Sequence, residues 1–121
     1  MNRVLALIFL PLIFLAGCDD SSSQPAARER VVEASCKRLN ECGKVKPKDG
    51  IYTSMENCRV LQASAWESNW PPLECDNRID PDQLDLCVAA INQADCGAGL
   101  DLLNILVTKC PKEKICAGVP K

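Results

Sequence analysis

The sequence predicts a mainly α fold: a small disulfide-stabilised bundle of about four helices. Three observations predict it. Apolar residues recur at helical spacing in segments that open on capping residues and close on glycine or proline. Nine cysteines occur in only 121 residues, and in an exported chain that density signals a disulfide framework. Past residue 17 the only aromatic side chains are Tyr52, Trp66 and Trp70. The core must therefore be Leu, Ile, Val, Ala and sulfur, and burial alone gives a single domain of this size limited stability.

The first element, residues 1–17, has the layout of a secretory signal: one cation, Arg3, an apolar run from Val4 to Leu15, then small Ala16 and Gly17. A membrane-crossing helix needs about 20 apolar residues, so this shorter run is expected to be removed rather than to span. The residues Leu15-Ala16-Gly17-Cys18 resemble the lipobox of bacterial lipoproteins. That resemblance implies a diacylglyceryl thioether on Cys18, cleavage before it and acylation of the new amine. Each buried methylene adds about 0.8 kcal/mol of membrane affinity, so two or three chains hold where one is released. Parity points the same way, since setting Cys18 aside leaves eight cysteines, which can pair completely. Asp19 and Asp20 follow. An aspartate in that place resembles the enterobacterial signal for retention, which tilts the expected location toward the periplasmic face of the inner membrane over the outer membrane. Residues 18–26, the lipidated cysteine and a polar stretch reaching at most about 28 Å, are expected to form a flexible tether to a Cys-rich helical domain over 27–121.

Within that domain the first helix is expected from about Ala27 to Cys42. Val32, Cys36, Leu39 and Cys42 share a stripe, Arg28, Arg30, Lys37 and Arg38 lie opposite, and Gly43 is placed to stop it. Thr53 and Glu56 have capping-box spacing for a second helix that should end before Pro71-Pro72. On it Met55, Arg59, Gln62, Trp66 and Trp70 form one stripe, and Cys58, Leu61 and Ala65 another. The third helix opens on Asp80 as N-cap, with Pro81 at the first helical position, Gln83 to complete the box and Ile79 to staple onto Leu84. Leu84, Cys87, Val88 and Ile91 mark its buried face, and Gly97 is expected to end it. The segment Leu100 to Val107 is apolar nearly all round; Asp101 at its start and Pro111 beyond its end favour a short central helix over a buried strand.

Eight cysteines, Cys36, Cys42, Cys58, Cys75, Cys87, Cys96, Cys110 and Cys116, allow 105 complete pairings. Folding helices one and two into a hairpin brings Cys42 level with Cys58, and folding the third and fourth back across Gly97 brings Cys87 toward Cys110. The other four are left unassigned.

Little catalytic chemistry is available. There is no histidine and no C-x-x-C, which argues against a zinc site, a thioredoxin-like centre, a c-type haem and histidine-activated nucleophiles. Asp80, Asp82 and Asp85 offer paired carboxylates, but carboxylates at a helix start cap free N–H groups and complement the dipole. Trp66 and Trp70 are a candidate binding surface, set against the more ordinary reading of core packing. Lys44, Lys46 and Lys48 are read as a solvated loop, with anionic headgroups as the other partner considered. The net charge of −2 becomes −3 once Arg3 is removed, which leaves no electrostatic footprint for nucleic acid.

The eight-cysteine helical folds of plant lipid-transfer proteins carry an adjacent Cys-Cys and a Cys-x-Cys that this chain lacks. The lipobox followed by cysteine-bearing helices is similar instead to small Cys-rich bacterial lipoproteins of unknown function, a resemblance that implies no activity. The sequence therefore leads to a membrane-anchored envelope module, held by the lipid on Cys18, that binds another envelope protein or the cell wall. No cofactor, metal or catalytic residue is expected. The alternative is a small-ligand or lipid carrier, suggested by the apolar segment Leu100 to Val107.

Overall fold

A computed structural model describes residues 22–97, 105–106 and 108–118. The signal segment, Cys18, Asp19 and Asp20 lie outside the described residues, as does most of Leu100 to Val107; Ile105 and Leu106 of that segment are helical and half-buried. The described elements are α1 (Gln24–Glu41), α2 (Met55–Asn69), α3 (Pro72–Cys75), α4 (Pro81–Asn92) and α5 (Lys112–Ile115), with one isolated β-bridge between Val45 and Tyr52. The protein is a small helical domain stabilised by four disulfides.

Helix α1 is the central element and starts three residues before the sequence suggests. The Ser23 hydroxyl accepts from the Ala26 N–H at 3.4 Å, and Pro25 in the first turn needs no donor partner. Gln24, expected in the tether, is wholly buried: its N–H donates to Asp76 Oδ1 at 3.1 Å and its Nε2 to the Trp70 carbonyl at 2.7 Å. Ser22 is buried too, and its carbonyl accepts from the Ile79 N–H. The tether is accordingly shorter than expected, because Ser22 to Ala26 belong to the folded unit. The buried face is also broader than one stripe, taking in Ala27, Val31, Ala34 and Ser35 beside Val32, Cys36 and Leu39. At the other end Gly43, at φ +71°, lets the Lys44 N–H reach the Leu39 carbonyl and its own N–H reach that of Asn40, the paired bonds of a Schellman stop.

Helix α2 opens one residue later than the Thr53–Glu56 spacing implies. Ser54 is the N-cap, accepting from the Asn57 N–H at 3.0 Å, while Asn57 Oδ1 accepts from the Thr53 N–H at 3.1 Å. Asn57 thus takes the return role expected of Glu56, but its bond goes to Thr53, one residue before the cap, so the box is not closed between Ser54 and Asn57. Helix α2 ends at Asn69 ahead of Pro71-Pro72, and that pair then starts the single turn of α3, which the sequence reading missed.

Ion pairs report the packing directions. Arg28 meets Glu67 at 2.6 Å and Arg59 meets Glu33 at 2.7 Å, so α2 runs antiparallel to α1. Arg30 meets Asp85 at 2.8 Å and the Arg38 guanidinium donates twice to the Ala94 carbonyl, so α4 runs parallel to α1. That second contact helps explain why α4 stops at Asn92 rather than near Gly97: from Ala94 the backbone turns aside to serve Arg38.

The parallel arrangement decides the bridges. Cys42 at the end of α1 meets Cys96 beyond the end of α4, with Cα atoms 5.2 Å apart, and not Cys58. Cys58 lies in the first turn of α2, level with Cys36, and bonds to it at a Cα separation of 5.9 Å. Cys87–Cys110 forms as the hairpin argument has it, at 5.1 Å, and Cys75–Cys116 closes the opposite end at 4.7 Å. Apart from the half-buried Cys42 and Cys116 and the exposed Cys96, the bridge sulfurs belong to the core.

Candidate functional site

The two tryptophans do not form a surface. Trp66 is 5% exposed and Trp70 not at all. Their rings meet with centroids 4.8 Å apart, tilted by 52°, a favourable aromatic geometry. Trp66 Nε1 donates to Gln62 Oε1, and Gln62 Nε2 donates in turn to the Tyr52 hydroxyl. Trp70 Nε1 donates to the Cys110 carbonyl at 3.0 Å. With so few large side chains available, both indoles are needed inside, and the candidate binding surface at Trp66 and Trp70 is withdrawn.

The aspartates at the start of α4 have structural partners. Asp80 Oδ1 accepts from the N–H groups of Asp82 and Gln83 at 3.0 and 3.1 Å, and Asp85 pairs with Arg30. The Asp80 N–H donates to the Ile115 carbonyl at 2.8 Å, so the tail rather than Gln83 satisfies the start of the box. Asp80→Ala should therefore lower stability by about 1 kcal/mol, as loss of a cap does, while Asp80→Asn, which keeps the acceptor, should be nearly neutral. Urea unfolding of the two variants beside the parent checks this; equal losses would mean that Asp80 contributes charge and not a cap.

Two ion pairs shift their cations. The Glu33 carboxylate raises the Arg59 guanidinium above its ordinary range, chiefly through the hydrogen bond between them, and Glu74 does the same to Lys112. A cation raised on folding stabilises the fold at all pH below its unfolded value and loses that effect only as pH rises through the folded one. For Lys112 the loss falls in the alkaline range. Both groups are at the surface, where such pairs contribute little.

Besides an open depression of about 400 Å³ at the end of α2, lined by Ser68, Asn69, Leu106, Cys110 and Lys112 among others, two more border that helix. A groove of about 540 Å³ between α1 and α2 is lined by Ser23, Pro25, Ala26, Arg28, Val32 and Ala63 among others, and is open and mixed in polarity. A cleft of about 150 Å³ beside Trp66, Ile91, Ile105 and Leu106 is apolar. Ligand pockets usually measure roughly 300–1,000 Å³, so this cleft is small for an acyl chain. Among the described residues, no three of His, Cys, Asp and Glu are grouped to hold a metal ion, and no helix is long and apolar enough to cross a membrane.

What distinguishes the two ends of the bundle is their chemistry. The end holding the start of α1 also holds α3, the start of α4 and α5, laced by Gln24 to Trp70 and Asp76, Ile79 to Ser22, Gly118 to Arg78, and Cys75 to Cys116. Gly118 is required there, since a Cβ would stand 2.6 Å from the Arg78 carbonyl oxygen. Lys44, Lys46 and Lys48 lie at the other end, beyond the 18 residues of α1, about 27 Å away.

These features define a small disulfide-braced helical domain with its start locked into one end. The chain belongs to a family of unknown function, DUF6184, matched over residues 36–118. The matched stretch begins at Cys36 and contains all eight bridged cysteines, leaving Cys18 outside. No curated protein and no solved structure matches the chain.

Proposed function

We propose that the protein is a non-catalytic envelope lipoprotein, anchored through a lipid on Cys18, whose rigid domain engages another envelope protein or the cell wall at the membrane surface. The observation that carries the reading is where the fold begins. Ser22 is already buried and bonded to Ile79, and only four peptide steps separate it from Cys18. Such a length spans at most about 14 Å. A lipid on Cys18 thus holds the whole domain against the bilayer surface rather than on a long leash. The four disulfides suit an oxidising compartment, and the periplasmic face of the inner membrane is the location favoured by Asp19.

Intact mass and fractionation test it. The mature protein is expected to begin at Cys18 with a diacylglyceryl and an acyl group attached and to sediment with membranes, and Cys18→Ala should move most of it to the soluble envelope fraction. A wild-type protein with an unmodified Cys18 would sink the proposal. Detergent extracts of the tagged lipoprotein that repeatedly yield neither a protein nor cell-wall fragments would remove the interaction role while leaving the anchor.

A further inference from the structure

Leu73 is fully exposed, the most exposed large apolar side chain among the described residues. It lies midway between Trp70 and Asp76, and both of those are bonded to Gln24, so α3 is fastened beside the first turn of α1. Pro72 precedes Leu73 in the chain and Pro25 lies in the first turn of α1, and both are exposed. The carboxylates nearest Leu73 in the chain are engaged elsewhere, Glu74 with Lys112 at 3.0 Å and Asp76 with the N–H groups of Gln24 and Asn77, while Asp82 and Glu113 at the same end are exposed. Arg78, three residues beyond α3, is an exposed cation. The stretch from Trp70 to Leu73 carries no charge at all.

We infer that this end of the domain is a lipid-contacting surface and that Leu73, with Pro72 before it, enters the interfacial layer of the bilayer. The inference rests on lipidation of Cys18. Given that anchor, the reach of about 14 Å between Cys18 and Ser22 keeps the start of α1 next to the headgroups, and Leu73 shares that end. An apolar side chain flanked by prolines and a cation suits the boundary between headgroups and acyl chains. The opposite end supplies the contrast. Ile51, 64% exposed in the loop after α1, is separated from the anchored end by the length of α1, about 27 Å.

The test uses the full lipidated protein in phosphatidylcholine vesicles with or without brominated acyl chains, carrying Leu73→Trp or Ile51→Trp. Both positions are exposed, so thermal melts should match the parent, whose buried indole emission is subtracted. The indole added at residue 73 should lose at least half its emission to the brominated lipid, and that at residue 51 should be unaffected. Intact mass, taken first, separates the two ideas. Without lipid on Cys18, both the anchor and this inference fall. With lipid present, an unquenched residue 73 overturns the inference alone, and equal quenching at both positions means that the domain lies on its side, which also overturns it.

Discussion

Reduction of the four disulfides should abolish the cooperative thermal unfolding of the domain at neutral pH. The bridges span sequence separations of 22, 54, 41 and 23 residues, for which loop-closure entropy alone assigns about 3 to 4 kcal/mol each. Because the loops overlap, the sum is less than four separate terms. Even half of it, roughly 6 to 8 kcal/mol, equals the net stability of an ordinary domain. Circular dichroism melts with and without a phosphine reductant check this, and a sigmoidal transition surviving full reduction would show that the apolar core suffices. The bridges should also differ from one another. Chain entropy ranks loss of Cys42–Cys96 above loss of Cys36–Cys58 by only about 0.8 kcal/mol. Burial ranks them oppositely, since Cys36 and Cys58 are wholly enclosed whereas Cys96 is exposed. Deleting enclosed atoms leaves a void costing more than that entropy difference, so the Cys36→Ala/Cys58→Ala protein should melt below Cys42→Ala/Cys96→Ala.

Local chemistry was readable at most boundaries that depend on neighbours in sequence, although at α2 it pointed one residue early, to Thr53 rather than Ser54. Asp80 and Pro81 start α4, Pro71-Pro72 limits α2, and Gly43 ends α1, each by a preference of the residue itself. The larger misses depended on distant partners. Ser23 and Pro25 carry helix-start signals, but the polar stretch around them looks like a tether until Trp70 and Asp76 are brought to Gln24. The Cys42–Cys96 bridge requires α1 and α4 to be parallel, and that direction comes from the packing of three helices, which no local pattern encodes. The candidate site followed the same division. Trp66 and Trp70 stand out in the sequence as large side chains, although the scarcity of other aromatics already points them inward. Leu73, a lone leucine after two prolines, carries no periodic signal and becomes notable only beside the start of α1.

The second large effect belongs to Trp70, which joins three parts of the chain at one place. Its ring is wholly buried against Trp66, its indole N–H reaches the Cys110 carbonyl, and its own carbonyl receives the Gln24 amide. Trp70→Phe keeps most of the buried area but leaves the Cys110 carbonyl without its donor, at a cost of about 1 to 3 kcal/mol for an unsatisfied buried acceptor. In a domain of this size that lowers the melting temperature by roughly 4 to 20 °C. Trp70→Ala adds a cavity and should cost about 3 to 5 kcal/mol. The same reasoning separates the ring from the backbone. The Gln24 amide bonds to a main-chain oxygen that every variant keeps, so residues 22–26 should stay protected from hydrogen exchange in Trp70→Phe and lose protection in Trp70→Ala, where the support beneath that carbonyl is gone. If Trp70→Phe melts with the parent, the indole N–H contributes nothing and the position is held by apolar contact alone.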